Sequence, residues 1–156
     1  MDWSLKTLKK FHSGMNSEIK KFISSFRVAR FATSDQNSQP HVIPICFEIG
    51  NDLNIYSAID SKPKSGDFNT LKRVKNIRKN PKVSVLFDEY TEDWEQLAYV
   101  LIRGEARVET GGIEREYGED LLRDKYRQYG DYLMPGCPVI VINPKNIYSW
   151  GNIRIV

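Results

Sequence analysis

The sequence predicts a mainly β, α+β domain: a small antiparallel barrel of six or seven strands with peripheral helices. Two observations carry that expectation. Runs of strand length, rich in β-branched and aromatic residues, follow one another through short polar turns between residues 27 and 59. No helical segment separates the first three runs, so they read as an antiparallel meander and not as βαβ units.

The elements are justified in order. Residues 2–13 read as helical and end at Gly14, and Asn16 and Ser17 can cap a second helix with Ile19, Phe22, Ile23 and Phe26 at helical spacing. Residues 1–25 are therefore expected to form an N-terminal helical cover. The strands "RVARFATS", "PHVIPICFEI" and "LNIYSAI" follow, separated by polar turns at residues 35–39 and 50–52. A lysine-bearing loop leads to a helix that ends near Lys79, before Asn80-Pro81. Beyond it, "KVSVLFDEY" and "LAYVLIRGEARVE" are strands, and Gly104 marks a bulge or bend in the second. Residues 112–130 alternate charge, with Tyr117, Leu121, Leu122 and Tyr126 on one side, as an amphipathic helix does. "CPVIVIN" and "NIYSWGNIRIV" read as two closing strands. With no repeat, linker or low-complexity tract, residues 1–156 are treated as one domain.

Composition excludes several classes. No apolar run reaches the roughly 18 residues of a membrane span, and the N-terminus lacks an apolar signal core. Cys46 and Cys137 lie far apart and outside any CxxC pair, as expected of reduced thiols in a cytoplasmic protein. Without HxH, HExxH or CxxC, no metal is expected, and without GxSxG a hydrolase reading has no anchor. A nucleophilic pair of His41 and Cys46 is discounted, because residues five apart on a strand point to opposite faces.

Charge is more informative in its distribution than in its sum. Residues 61–82 hold eight cations against one acid, Asp67, a net +7 within a chain of +3. In "SAIDSKPKS", Ser57 and Ser61 supply hydroxyls, Lys62 and Lys64 supply charge, and Pro63 stiffens the backbone between them. With Asp67 or Asn69 capping the next helix, lysines beside a helix N-terminus make a candidate phosphate cradle. A solvated basic turn explains the same residues on composition alone. Eight tyrosines, seven phenylalanines and three tryptophans supply core mass and, for some, walls for a planar ring. A nucleic-acid surface on Lys72, Arg73, Lys75 and Arg78 is not expected, because no stacking aromatics interleave with those charges.

The run "HVIPICFEIGNDLNIYSAIDSKPKS", a basic helix, "NPKVSVLFD" and "YVLIRGEARV", in that order, resembles the pyridoxamine 5′-phosphate oxidase-like family of flavin and deazaflavin oxidoreductases. The resemblance covers about residues 17–151 and leans toward the branch that uses coenzyme F-420. It implies a split β-barrel and a homodimer with cofactor in the interface, F-420 first and FMN second. It places His41, Val42, Ile43, Pro44, Ile45 and Cys46 along the cofactor ring, and Tyr56 and Ser57 near the phosphate. Lys62 matches a basic phosphate ligand, and Lys64 stands in for a second, whose formal place Pro63 occupies. Arg73 is a candidate for the F-420 tail. Tyr99 falls where the vitamin B6 enzymes carry a glutamine, and Trp150 is similar to the tryptophan that reaches the partner subunit's cofactor. Those enzymes continue into an "RLHDR"-like substrate motif, whereas here only Arg154 remains nearby, so pyridoxamine phosphate oxidation is not expected. The chemistry implied is hydride transfer to or from a small molecule, with no covalent catalyst among the side chains. A non-catalytic FMN, F-420 or haem carrier or sensor is the alternative.

Overall fold

The computed structural model describes residues 15–60 and 67–153, together with the backbone of 9–11. The strands are β1 (Lys9–Phe11), β2 (Ala29–Ser34), β3 (Pro40–Ile45), β4 (Glu48–Ile49), β5 (Ile55–Ala58), β6 (Lys82–Glu89), β7 (Ala98–Glu109) and β8 (Val139–Gly151). The helices are α1 (Ser17–Ser24), α2 (Lys72–Lys79), α3 (Gly112–Lys125) and α4 (Tyr129–Tyr132). All strand pairs are antiparallel in the order β3-β2-β6-β7-β8-β5-β4, with β1 added to β8. The sheet curls into a half-barrel, the split-barrel α+β fold that the sequence predicts.

Three local expectations are corrected. Lys9–Phe11, read as part of a helix, is a strand paired with residues 147–149 of β8. The two closing strands are one 13-residue strand, because Pro144 lies opposite Gly104, where the β7–β8 register shifts. A Cβ on Gly104 would lie 2.3 Å from the Asn143 carbonyl oxygen, so only glycine lets the bulge close. Asp67 caps a 3-10 turn at Phe68–Thr70, accepting from Asn69 N, and α2 starts after it at Leu71 without a side-chain cap. By contrast Asn16 caps α1 as expected, its Oδ1 accepting from Ile19 N at 2.8 Å.

The barrel interior holds Phe31, Phe47, Ile55, Val85, Phe87 and Ile102, closed by Ile19, Phe22 and Ile23 from α1 and by Val74 and Ile77 from α2. α2 is also pinned polar-side down: Asn76 Nδ2 donates to the Thr33 hydroxyl at 2.9 Å in a buried pair. A second cluster lies outside the barrel wall, where Tyr56, Val139 and Val141 meet Leu122 and Tyr126 beneath α3. β5 and the first half of β8 are thus buried on both faces, which explains the unbroken apolar run "VIVI". Among the described residues, no helix covers the rest of the outer wall. Pro44, Arg30, Leu86, Leu101 and Tyr148 form one rung across it, exposed or half-exposed. No helix among the described residues is long and apolar enough to cross a membrane.

Candidate functional site

β3 is an edge strand, so the backbone amides and carbonyls on one side of it have no strand partner among the described residues. Along it Ile43 and Ile45 turn to the core, while Val42, 61% exposed, and Pro44 face outward. His41 is half-buried opposite Thr33. The facing of these side chains, open from sequence, is settled by the β2–β3 register.

At the end of β3 the chain breaks from strand geometry at Cys46-Phe47, and a single hydroxyl holds the break. Tyr126 Oη accepts from the buried Phe47 N at 2.9 Å and lies 2.9 Å from the Phe47 carbonyl and 2.8 Å from the Arg27 carbonyl, either of which can take its proton. Burial pushes the Tyr126 hydroxyl up to about 12. Beside it the Lys125 ammonium, with 8% of its side chain exposed, pairs with Glu48 at 3.5 Å and lies 4.0 Å from the Phe47 ring centroid. Among the described residues it has no acceptor at hydrogen-bond geometry, and burial lowers its pKa despite Glu48.

The Cys46 thiol meets Tyr129 of α4, whose hydroxyl is pushed far up by burial and then by Cys46 and Asp60. Arg73, half-buried at the start of α2, is lowered by burial, with Asp60 acting against that shift. The ends of β3 and β5, the first turn of α2 and α4 therefore converge on one neighbourhood. Cys46 and Arg73 belong to it, and Ser57, 2% exposed, lies three residues before Asp60 in β5. Lys62 and Lys64 lie outside the described residues, as do His12, Ser61, Pro63 and Arg154; Ser61 follows Asp60 directly in sequence.

One sequence expectation changes here. Tyr56 cannot wall a ligand: it is fully buried under α3, donating to Asp52 at 2.6 Å and packing edge-on against Tyr117. The cause is Gly118, where a Cβ would come within 2.5 Å of the Tyr56 ring. Tyr99 and Trp150 pack on each other, centroids 5.7 Å apart at 22°, on the open face of β7–β8. Three strand spacings, about 14 Å, separate β7 from β3 within one chain. Sequence reasoning missed Asp60, Lys125 and Tyr129. The repeated tyrosines at 126, 129 and 132, one helical turn apart, were the available signal for the last.

The profile of the pyridoxamine 5′-phosphate oxidase family matches residues 15–151. The chain belongs to that family. A curated relative, the 5a,11a-dehydrotetracycline/5a,11a-dehydrooxytetracycline reductase of Streptomyces rimosus, is 27% identical over 126 residues, 78% of this chain and 72% of the relative. Among solved structures, a conserved hypothetical protein of Mycobacterium tuberculosis superposes with a TM-score of 0.71 at 19% identity, covering 89% of this chain and 86% of its own. An FAD-binding protein of Mesorhizobium loti gives 0.67 at 19%, covering 93% and 96%. A haem-binding protein of Mycobacterium smegmatis gives 0.69 at 14%, covering 90% of this chain and 57% of that one. These structural likenesses establish the fold.

The family implies a phosphate-bearing flavin, and the residues present fit such a group. The neighbourhood offers a half-buried guanidinium and, among the described residues, an edge strand with backbone groups lacking a strand partner and a buried ammonium without a hydrogen-bond acceptor.

Proposed function

We propose that the protein is an oxidoreductase that binds coenzyme F-420, or in second place FMN, along β3 and works as a homodimer. The observation that carries this reading is the convergence of the Cys46 end of β3, Asp60, Arg73 and Tyr129, with Lys62 and Lys64 two and four residues on from Asp60 in sequence, in a chain of a flavin-binding family. The reductase relative supports redox chemistry, and the FAD-binding structure supports a flavin-type ligand on this fold.

When bound, the cofactor supplies hydride or electron-pair transfer at its ring. The chain's own residues hold and orient it. Lys62 and Lys64 neutralise phosphate, with Ser57 nearby as a hydroxyl donor. Arg73, fixed on α2, takes further negative charge, which F-420 has in greater supply than FMN. The outward-pointing backbone N–H groups of residues 41–46, to which Pro44 contributes none, donate to the ring's polar rim and favour negative charge there. Val42 and Pro44 bring apolar surface to one ring face. The Tyr126 hydroxyl and the Lys125–Glu48 pair keep the Cys46-Phe47 break in place. Tyr99 and Trp150 stand on the open outer wall, so a second copy seated there brings them to its own ring site.

A non-catalytic carrier or sensor of flavin or haem is the second reading, favoured only by the haem-binding protein of the same fold. Reoxidation separates the two. Protein loaded with chemically reduced cofactor under anaerobic conditions is mixed with an electron acceptor such as menadione. Reoxidation faster than that of free cofactor supports the oxidoreductase; a rate equal to or below it supports a carrier.

A further inference from the structure

A trough of about 450 Å³ opens on the outer wall at the opposite end from Cys46. Its lining is mainly apolar, with Ala32 and Pro40 on the outward face beside Ser84, and its rim carries Lys82, Arg103 and Lys145. One acid, Glu105, shares the rim, held loosely to Lys145 at 3.8 Å with both side chains half exposed. Neither Lys82 nor Arg103 is ion-paired among the described residues. Arg103 is nevertheless oriented: its guanidinium carbon lies 5.4 Å from the Tyr148 ring centroid, which fixes the planar group and leaves its N–H fork available. Asn146, directly across the ladder from Arg103, adds an amide.

We infer that this trough binds a small organic anion, its apolar body on Ala32 and Pro40 and its carboxylate on the Arg103 fork. The volume is that of a small-molecule site, and an apolar lining beneath Lys82 and Arg103, neither ion-paired among the described residues, suits an amphipathic anion better than a bare inorganic one. Arg103 stands four residues along β7 from Tyr99, about 13 Å, which sets the trough apart from the Tyr99–Trp150 stack.

The test uses amide chemical-shift mapping of the cofactor-free full chain, titrated with benzoate and, at matched ionic strength, with benzyl alcohol. Benzoate moves the amides of residues 32, 33, 82–84, 103–105 and 146, and benzyl alcohol binds at least about tenfold more weakly. Arg103→Gln weakens benzoate about tenfold, whereas Lys21→Gln, which removes an exposed charge on α1, does not. Lys145→Gln, at a half-exposed side chain, serves as a second variant should Arg103→Gln perturb the fold. Equal binding of the alcohol, unchanged binding in both trough variants, or no movement of these amides overturns the inference. So do trough amides that ignore benzoate and shift on dilution of the protein, which would mark the trough as an interface between copies.

Discussion

The Lys125 ammonium lies 3.5 Å from the Glu48 carboxylate, on the far side of Phe47 from the barrel core, and this pair ties the C-terminal end of α3 to β4. Breaking a buried pair strands a charge, whereas removing both charges need not. Glu48→Gln should therefore cost about 2 kcal/mol, or roughly 4–8 °C in Tm, and adding Lys125→Met should recover most of the loss. Urea denaturation of the three variants measures this. A double variant no more stable than Glu48→Gln alone would show that Lys125 is not the stranded charge.

Tyr126→Phe keeps the ring and removes the hydroxyl that satisfies Phe47 N. An orphaned buried amide costs about 1–3 kcal/mol, so this variant should be destabilised by about that amount. Because the same hydroxyl fixes the end of β3, cofactor affinity should fall as well. Loss of stability with unchanged affinity would detach the Cys46-Phe47 break from the binding site.

Acid sensitivity should centre on Glu119. Burial works to raise its pKa, but donors from Arg115, Arg123 and Gly136 N outweigh it and hold the carboxyl below its ordinary 4.5. A depressed folded pKa stabilises the protein above the unfolded value and withdraws that stability as pH falls through the folded one. Wild-type stability should thus drop below about pH 4.5, and the gap between wild type and Glu119→Gln should narrow there. Denaturant midpoints at pH 7 and pH 3.5 test it; a gap that widens in acid contradicts the assignment.

Much of the fold was legible because apolar period and turn chemistry agreed along the chain. Gly104 marked its bulge from sequence, since glycine within an apolar run has few other uses. The failures share a cause in long-range contact. Pro144 looked like a strand end, yet it falls at the bulge that a residue forty positions away creates. Lys9–Phe11 has no strand signal of its own and borrows its form from β8. At the site, family resemblance put Tyr56 beside the phosphate, while Gly118, invisible to that comparison, draws the ring under α3. Lys125 and Tyr129 carried no motif; their importance comes from burial and from neighbours far off in the chain.

The open rung across the outer wall bears on assembly. Leu86 and Leu101 are ladder partners on a face that no helix covers. Leu101→Glu should convert a dimer to a monomer in light scattering without unfolding it, since a carboxylate at a desolvated interface is strongly disfavoured. A variant that still dimerises would move the interface elsewhere, and a monomeric wild type would contradict the homodimer.

The central claim is that the lysine loop and the Cys46–Arg73 neighbourhood hold a phosphate-bearing flavin-type cofactor. Side-by-side fluorescence-quench titrations with F-420 and FMN, on wild type and on Lys62→Ala/Lys64→Ala, test it most directly. Three tryptophans provide the signal. The account predicts micromolar or tighter binding, F-420 ahead of FMN, and a loss of a few kcal/mol in the double variant, at about 1.5–3 for each charge-assisted bond. Binding that survives the double variant unchanged would contradict the site, and no binding of either cofactor would contradict the function.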